Sequence, residues 1–140
     1  MSIKQYIHGQ DDYALWGHVG RLIVDRDVQQ YLGGDINSHT GDVWLVMLTH
    51  NKRTVGFAAA RLLKSGALHL RYFYHDDHGA LGEETLVRRA ISYAVEQGCK
   101  SIHTNWRKDS EMLAGLGFTA EPRARGLFCR WEKNLEEKQA

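Results

Sequence analysis

The densest chemical potential in this chain lies between Leu68 and Leu86, where a strand pattern passes through a loop with Gly79 and Gly82 into a helical pattern. A strand-to-helix turn points unpaired backbone N–H groups at one spot and adds the positive end of the helix dipole. It can therefore hold a phosphate or pyrophosphate. Glycines there would let a ligand come close to the backbone. Ordinary loops that start helices carry the same glycines, so the loop alone leaves both readings open.

Around this turn stand groups able to move protons. His69 and His103 have an intrinsic pKa near neutrality, which suits a general base, although strand histidines also serve as half-exposed packing. Tyr72 and Tyr74 could supply a hydroxyl, or pack as amphipathic rings on a sheet face. Strict alternation along the strand puts His69, Arg71 and Phe73 on one face and Leu68, Leu70, Tyr72 and Tyr74 on the other. His75-Asp76-Asp77-His78 contains four potential metal ligands. Adjacent ligands on one loop seldom converge without another from elsewhere, so a solvated loop and no metal are expected. His78 or Arg88 could contact a phosphate. Arg123-Ala124-Arg125 could meet an acidic group or simply form a solvated hairpin. Trp16, Trp44, Trp106 and Trp131 are dispersed, which suits packing better than a base-stacking platform.

The 140 residues suit one domain with one core. With 43% apolar and 25% charged residues the composition is globular, and a net charge of +1 gives no general pull toward nucleic acid or an anionic membrane. The two cysteines, Cys99 and Cys129, are too few for a disulfide framework and lack metal-ligand spacing, so a reducing compartment, the cytoplasm, is expected. No apolar run has the length of a membrane span, and Met1-Ser2-Ile3-Lys4-Gln5-Tyr6 has no signal-peptide core.

The elements that must position these groups follow from periodicity. Ile3 to Ile7 reads as a strand. Asp11 and Asp12 are N-cap candidates for a helix with Leu15, Trp16, Val19, Leu22 and Ile23 on one face. A second helix is expected over Asp25 to Leu32, ended by Gly33-Gly34. Val43–Thr49, Thr54–Leu63 and Ala67–Tyr74 form an antiparallel meander with short polar turns. Leu86, Val87, Ala90, Ile91, Ala94 and Val95 mark a helix beginning near Gly82 and stopping at Gly98. A strand at Ser101 to Asn105, a helix at Asp109 to Leu116, and strands at Phe118 to Ala120 and Gly126 to Trp131 complete the chain.

This order resembles the GNAT family of N-acetyltransferases over nearly the whole length. Asp77-His78-Gly79-Ala80-Leu81-Gly82 is similar to the family's Q/R-x-x-G-x-G/A loop, with Asp77 where a basic or amide residue is usual. Leu113-Ala114-Gly115-Leu116-Gly117-Phe118 resembles its L-Y-x-K-x-G-F helix end, with Leu113 where a tyrosine often protonates the CoA thiolate. The resemblance implies an α/β (α+β) fold: a mixed, mostly antiparallel sheet of six or seven strands, flanked by helices, with a splayed parallel pair. One domain would cover 1–134, with a charged tail at 135–140. The implied activity is acyl-CoA-dependent N-acyl transfer, most directly from acetyl-CoA to an amine of a small molecule or protein. The donor would wedge between Leu70–Tyr74 and Ser101–Asn105. Backbone at Tyr72, Phe73 and Tyr74 would align its pantetheine arm. His78, Gly79, Ala80, Leu81 and Gly82 would hold the pyrophosphate, with Asn105 nearby. His69, Tyr72, Tyr74 and His103 are the catalytic candidates. No metal, membrane or nucleic-acid partner is implied, and a homodimer is left open. Asp77 and Leu113 also allow a second reading, a GNAT-fold binding or structural protein without catalysis.

Overall fold

Residues 2–77, 80–122 and 126–136 are described by the computed structural model. The sequence assignments to His78, Gly79, Arg123-Ala124-Arg125 and the tail past residue 136 lie outside these described residues.

Strand β1 (Ser2–Ile7) leads into helix α1 (Asp12–Ile23). The two aspartates expected as N-caps reach backwards instead. Asp11 accepts from Ile7 N–H at 2.8 Å and Asp12 from Gly9 N–H at 2.7 Å. They thus fix the strand-to-helix turn and leave α1 without a side-chain cap. Helix α2 (Arg26–Leu32) is capped, because Asp25 accepts from the N–H groups of Asp27 and Val28. It ends at Gly33, in the left-handed conformation at φ 95°, which a side chain would strain.

The meander is β2 (Val43–Leu48), β3 (Thr54–Leu62) and β4 (Ala67–His75). Every residue of β2 is buried, as its unbroken apolar run requires of a strand covered on both faces. Helix α3 (Ala80–Glu96) follows and starts two residues before Gly82. Then come β5 (Ser101–Arg107), the short helix α4 (Glu111–Gly115), β6 (Thr119–Ala120) and β7 (Phe128–Asn134). Ser110 caps α4 by accepting from Leu113 N–H.

The seven strands form one sheet in the order β1-β2-β3-β4-β5-β7-β6. Each pairing is antiparallel except that of β4 with β5. One face packs under α3 and α4, with Leu68, Leu70, Phe73, Leu86, Ala90, Ile102, Trp106 and Leu113 in a single core. The other packs under α1 and α2, where Leu15, Val19 and Val28 meet Trp44, Val46 and Phe57. Close approach of β4 to β3 depends on Gly56, where a Cβ would lie 2.6 Å from the Tyr74 carbonyl oxygen, with the Leu86 side chain of α3 at 3.3 Å.

Two features of β4 create the functional geometry. Its parallel pairing with β5 covers only Ala67↔Ser101, Leu68↔Ile102 and His69↔His103. Beyond that rung the strands part, and the β5-facing backbone of Leu70 to Tyr74 has no strand partner. The second feature is a bulge. Ala59 pairs with Tyr72 and Ala60 with Leu70, so Arg71 is the extra residue. A one-residue insertion reverses the phase of alternation. The expected face assignment therefore changes at Arg71. Leu68, Leu70 and Phe73 point to the α3 side, whereas His69, Tyr72 and Tyr74 share the α1–α2 side.

Candidate active site

The split between β4 and β5 opens on the α1–α2 side into a cavity of about 630 Å³. The end of helix α2 and the loop after it supply the rim from Leu32 to Asp35, β4 supplies His69, Arg71 and Tyr72, and β5 supplies Asn105. The far wall is Glu121 and the start of β7, from Phe128 to Arg130. The bulge is what brings His69 and Tyr72 to the same cavity, since unbroken alternation would have sent them to opposite faces.

His69 sits on the last paired rung, directly over its partner. The His69 and His103 rings are stacked with centroids 4.7 Å apart and planes 18° apart. Burial first, then the neighbouring His103 and Arg71, pushes the His69 pKa down to about 4. Burial also lowers that of His103. Both rings are therefore neutral at physiological pH. His103 is the more enclosed, at 9% exposure, and its Nδ1 has no hydrogen-bond partner among the described residues.

The loop after α2 is tied to the bulge. Arg71 donates to the Asn37 carbonyl at 3.0 Å and to Asn37 Oδ1 at 2.7 Å. The Tyr72 hydroxyl accepts from Asn37 N–H at 3.1 Å and donates to the Asp35 carbonyl at 3.4 Å. Behind them Asp42 is buried at 1% exposure and binds Arg61 through two hydrogen bonds of 2.7 and 2.9 Å. Burial alone would raise the Asp42 pKa; the Arg61 hydrogen bonds and the His39 N–H outweigh it and hold the carboxyl below its ordinary range. Tyr72 thus tethers a loop, and Tyr74 is buried against Phe57 and Tyr31 with its pKa raised by burial.

On the α3 side the split is filled by aromatic rings. Phe73 and Trp106 meet across it at 4.1 Å between centroids. Tyr31 enters from α2, 5.8 Å from Trp106, and its hydroxyl donates to Glu83 at 2.6 Å in the first turn of α3. Arg107 lies over Tyr31 at 4.3 Å and over Trp106 at 4.6 Å, and it donates to the Tyr31 carbonyl at 2.7 Å. Burial and the Glu83 hydrogen bond raise the Tyr31 pKa.

The turn into α3 differs from expectation in one respect. A Cβ on Gly82 would collide with the His75 ring, so the missing side chain at this glycine makes room for a buried histidine. His75 in turn binds Asp77 at 2.6 Å through Nδ1, and Asp76 pairs with Arg53 at 3.3 Å. Ligand atoms of His75, Asp76 and Asp77 lie within 4.8 Å of one another, knit by these contacts. Arg88, a phosphate candidate, binds Glu84 one turn away at 3.0 Å. Leu113 is fully buried in the core and presents no proton donor.

Sequence reasoning missed Tyr31, Asp35, Glu83 and Glu121. Tyr31 and Glu83 meet across 52 positions, and Asp35 and Glu121 line a cavity built from distant segments, so no local spacing signals them. Asn105 is exposed and does line the cavity. Cys129 lines it too, as a buried free thiol. No helix among the described residues is long and apolar enough to cross a membrane.

No family model matches this sequence, and no curated protein does. Solved structures are similar in fold. TofI in an apo form superposes with a TM-score of 0.71 at 15% identity, covering 95% of this chain and 91% of that one. The aminoglycoside 6'-N-acetyltransferase from Enterococcus faecium gives 0.69 at 11% identity, covering 100% of both chains. An acetyltransferase of the GNAT family from Staphylococcus aureus Mu50 gives 0.60 at 14% identity, covering 96% of this chain and 100% of that one. With its mostly antiparallel sheet, single parallel strand pair and flanking helices, the chain has a divergent form of the GNAT acetyltransferase fold.

Proposed function

We propose that the protein is an N-acyltransferase that takes an acyl group, acetyl in the simplest case, from an acyl-CoA and delivers it to an amine. The observation that carries this reading is the split after the His69–His103 rung. It leaves an unpaired edge of β4 on the way to a cavity containing a neutral, half-buried histidine.

The residues at the split fit a thioester arm in part. The free backbone edge from Leu70 to Tyr74 can hydrogen-bond an extended pantetheine chain as a missing strand would. The N–H groups at Ala80, Leu81 and Gly82 open α3, and its dipole favours a diphosphate. The Tyr31 ring must swing out of the split for the arm to lie there. Bound, the donor would supply a carbonyl carbon activated by a thiolate leaving group.

Catalysis then rests on positioning. The acceptor amine must arrive uncharged, because a base with a pKa near 4 does not deprotonate an alkylammonium ion. Once the nitrogen bonds to the acyl carbon it becomes strongly acidic, and His69 in this reading takes that proton. His103, stacked beneath, fixes the ring plane. Tyr72 holds the loop bearing Asp35 in place. With leucine at position 113 the thiolate leaves without a tyrosine donor. A thiol pKa near about 8.5 makes that departure feasible at neutral pH.

The test is binding followed by turnover. Acetyl-CoA at millimolar concentration should raise the melting temperature, because a ligand selective for the native state stabilises it by mass action. An amine panel should then yield free thiol. Measurable acetyl-CoA binding with no turnover of any amine would favour the non-catalytic binding protein that Asp77 and Leu113 also allow.

A further inference from the structure

Helix α2 is lightly anchored. Val28 is its one fully buried residue. It is joined to α1 where the Gln29 side chain donates to the Ile23 carbonyl at 2.9 Å. Its last turn is fastened across the split in the sheet. The Tyr31 hydroxyl donates to Glu83 on α3, and Arg107, the last residue of β5, stacks on the Tyr31 ring and donates to its carbonyl. Directly after this latch come Gly33, at φ 95°, and Gly34, where a Cβ would meet nothing within 4 Å. Two successive glycines give the chain a pivot. Beyond the pivot, Asn37 is pinned to the bulge by Arg71 and Tyr72. A helix with little buried surface, set between a latch and a pivot, is a unit that opens at low cost. The latch also occupies contested space. The Tyr31 ring stands 6.0 Å from Tyr74 on β4 and 5.8 Å from Trp106 on β5, beside the edge of β4 that has no strand partner.

We infer that α2 is an autoinhibitory gate: Tyr31, held by Glu83 and Arg107, plugs the split between β4 and β5, and the helix must pivot at Gly33-Gly34 before an acyl-CoA arm can pair with β4. This rests on the acyl-CoA reading for the identity of the arm. The closed state reduces the apparent donor affinity in proportion to the fraction of molecules that are open. The same movement carries Leu32 and Gly33, part of the cavity rim, while Asn37 stays pinned, so opening the split also reshapes the cavity beside His69. A plain packing role for Tyr31 makes the opposite forecast for one variant. Tyr31→Phe would then leave the Glu83 carboxylate without its hydroxyl partner beside an anionic donor, and binding would weaken. With a gate, the same variant loses the latch bond and binding strengthens.

The experiment combines calorimetric titration with acetyl-CoA and amide hydrogen exchange of α2, in wild type, Tyr31→Phe and Tyr31→Ala. Tyr31→Phe should bind about threefold tighter than wild type and Tyr31→Ala about tenfold, as first the latch bond and then the plug is removed. Without ligand, the α2 amides should exchange faster in both variants than in wild type. In wild type they should exchange faster with acetyl-CoA than without it, whereas a ligand resting on the closed helix would slow them. Tyr31→Phe keeps the ring and decides the matter alone if Tyr31→Ala does not fold. Equal or weaker binding by Tyr31→Phe, or slower α2 exchange in wild type on binding, would overturn the gate and leave the acyl-CoA reading standing, since the donor would still bind. No binding of acetyl-CoA by wild type or either variant would instead overturn that reading, and the gate with it.

Discussion

Tyr31 and Glu83 are joined by a 2.6 Å hydrogen bond that ties α2 to the first turn of α3 through the split in the sheet. Glu83 is 5% exposed, so its charge sits in an enclosed position at the end of a helix where an anionic ligand would be attracted. Tyr31 packs against both cores, and Arg107 over its ring fixes it there. The contact closes the α3 side of the split with a ring and a carboxylate together.

Glu83→Gln should therefore tighten acetyl-CoA binding. The amide oxygen still accepts from Tyr31, so the packing survives, while repulsion of the phosphates is removed. A gain of about three- to tenfold is expected for one charge removed near a helix N-terminus. Calorimetric titration of wild type and variant decides it; unchanged or weaker affinity would show that the diphosphate does not lie near this turn.

Asp77→Arg makes a second alteration of the same end. Asp77 holds His75 through Nδ1, so the variant should melt lower than wild type in the absence of ligand. In the presence of acetyl-CoA its thermal shift should exceed that of wild type, because a cation replaces an anion beside the turn into α3. No shift in either protein would mean that the loop binds no diphosphate.

Much of the fold was legible in the sequence. The continuous apolar run of β2, the adjacent-pair repeat of α3 and the Gly33 stop after α2 each report a local physical requirement, and local patterns suffice to read them. The bulge at Arg71 was not legible. Nothing in Leu70-Arg71-Tyr72 marks an insertion; it arises from how β4 registers against Ala59 and Ala60. Because alternation reverses there, the sequence put His69 and Tyr72 on opposite faces. Gly82 was read as space for a ligand because its helical neighbours are visible in sequence and the buried His75 ring is not. Asp35 and Glu121, which line the same cavity, are 86 positions apart, beyond any spacing rule.

The two stacked histidines predict how stability responds to pH. In the unfolded chain His69 protonates near 6.5, and in the folded protein near 4. His103 is shifted in the same direction. Between those values the unfolded state binds protons that the folded state refuses, so stability is complete above about pH 6.5 and falls as pH is lowered through the window. Asp42 adds a second loss further down: its depressed carboxyl stabilises the fold above the ordinary carboxylate pKa and stops doing so as pH falls through its folded value. Denaturant unfolding from pH 8 to 4 should show the first decline. In His69→Gln that decline should be shallower. A pH-independent midpoint in wild type over this range would show that the rings are not held neutral.

The catalytic assignments separate by which kinetic constant each residue controls. His69→Ala removes the group placed to take the amine proton, and kcat should fall by about a hundredfold or more while acetyl-CoA affinity stays close to wild type. Tyr72→Phe removes the hydroxyl that binds Asn37 N–H and the Asp35 carbonyl, so it should loosen the acceptor loop and raise the acceptor KM more than it lowers kcat. Tyr74→Phe deletes one hydroxyl from a buried ring stack and should act mainly on stability. His103→Ala removes the support under His69; kcat should fall less than in His69→Ala, and the double variant should be no worse than His69→Ala alone, since both act through one ring. The pH profile supplies the remaining check. If His69 is the proton acceptor and its pKa is near 4, kcat/KM of wild type should climb with pH toward the pKa of the amine, without a break near 6.5. A break near 6.5 that disappears in His69→Ala would mean that substrate binding restores an ordinary histidine pKa. Full turnover in all four variants would remove these residues from the chemistry and leave positioning of the two substrates as its source.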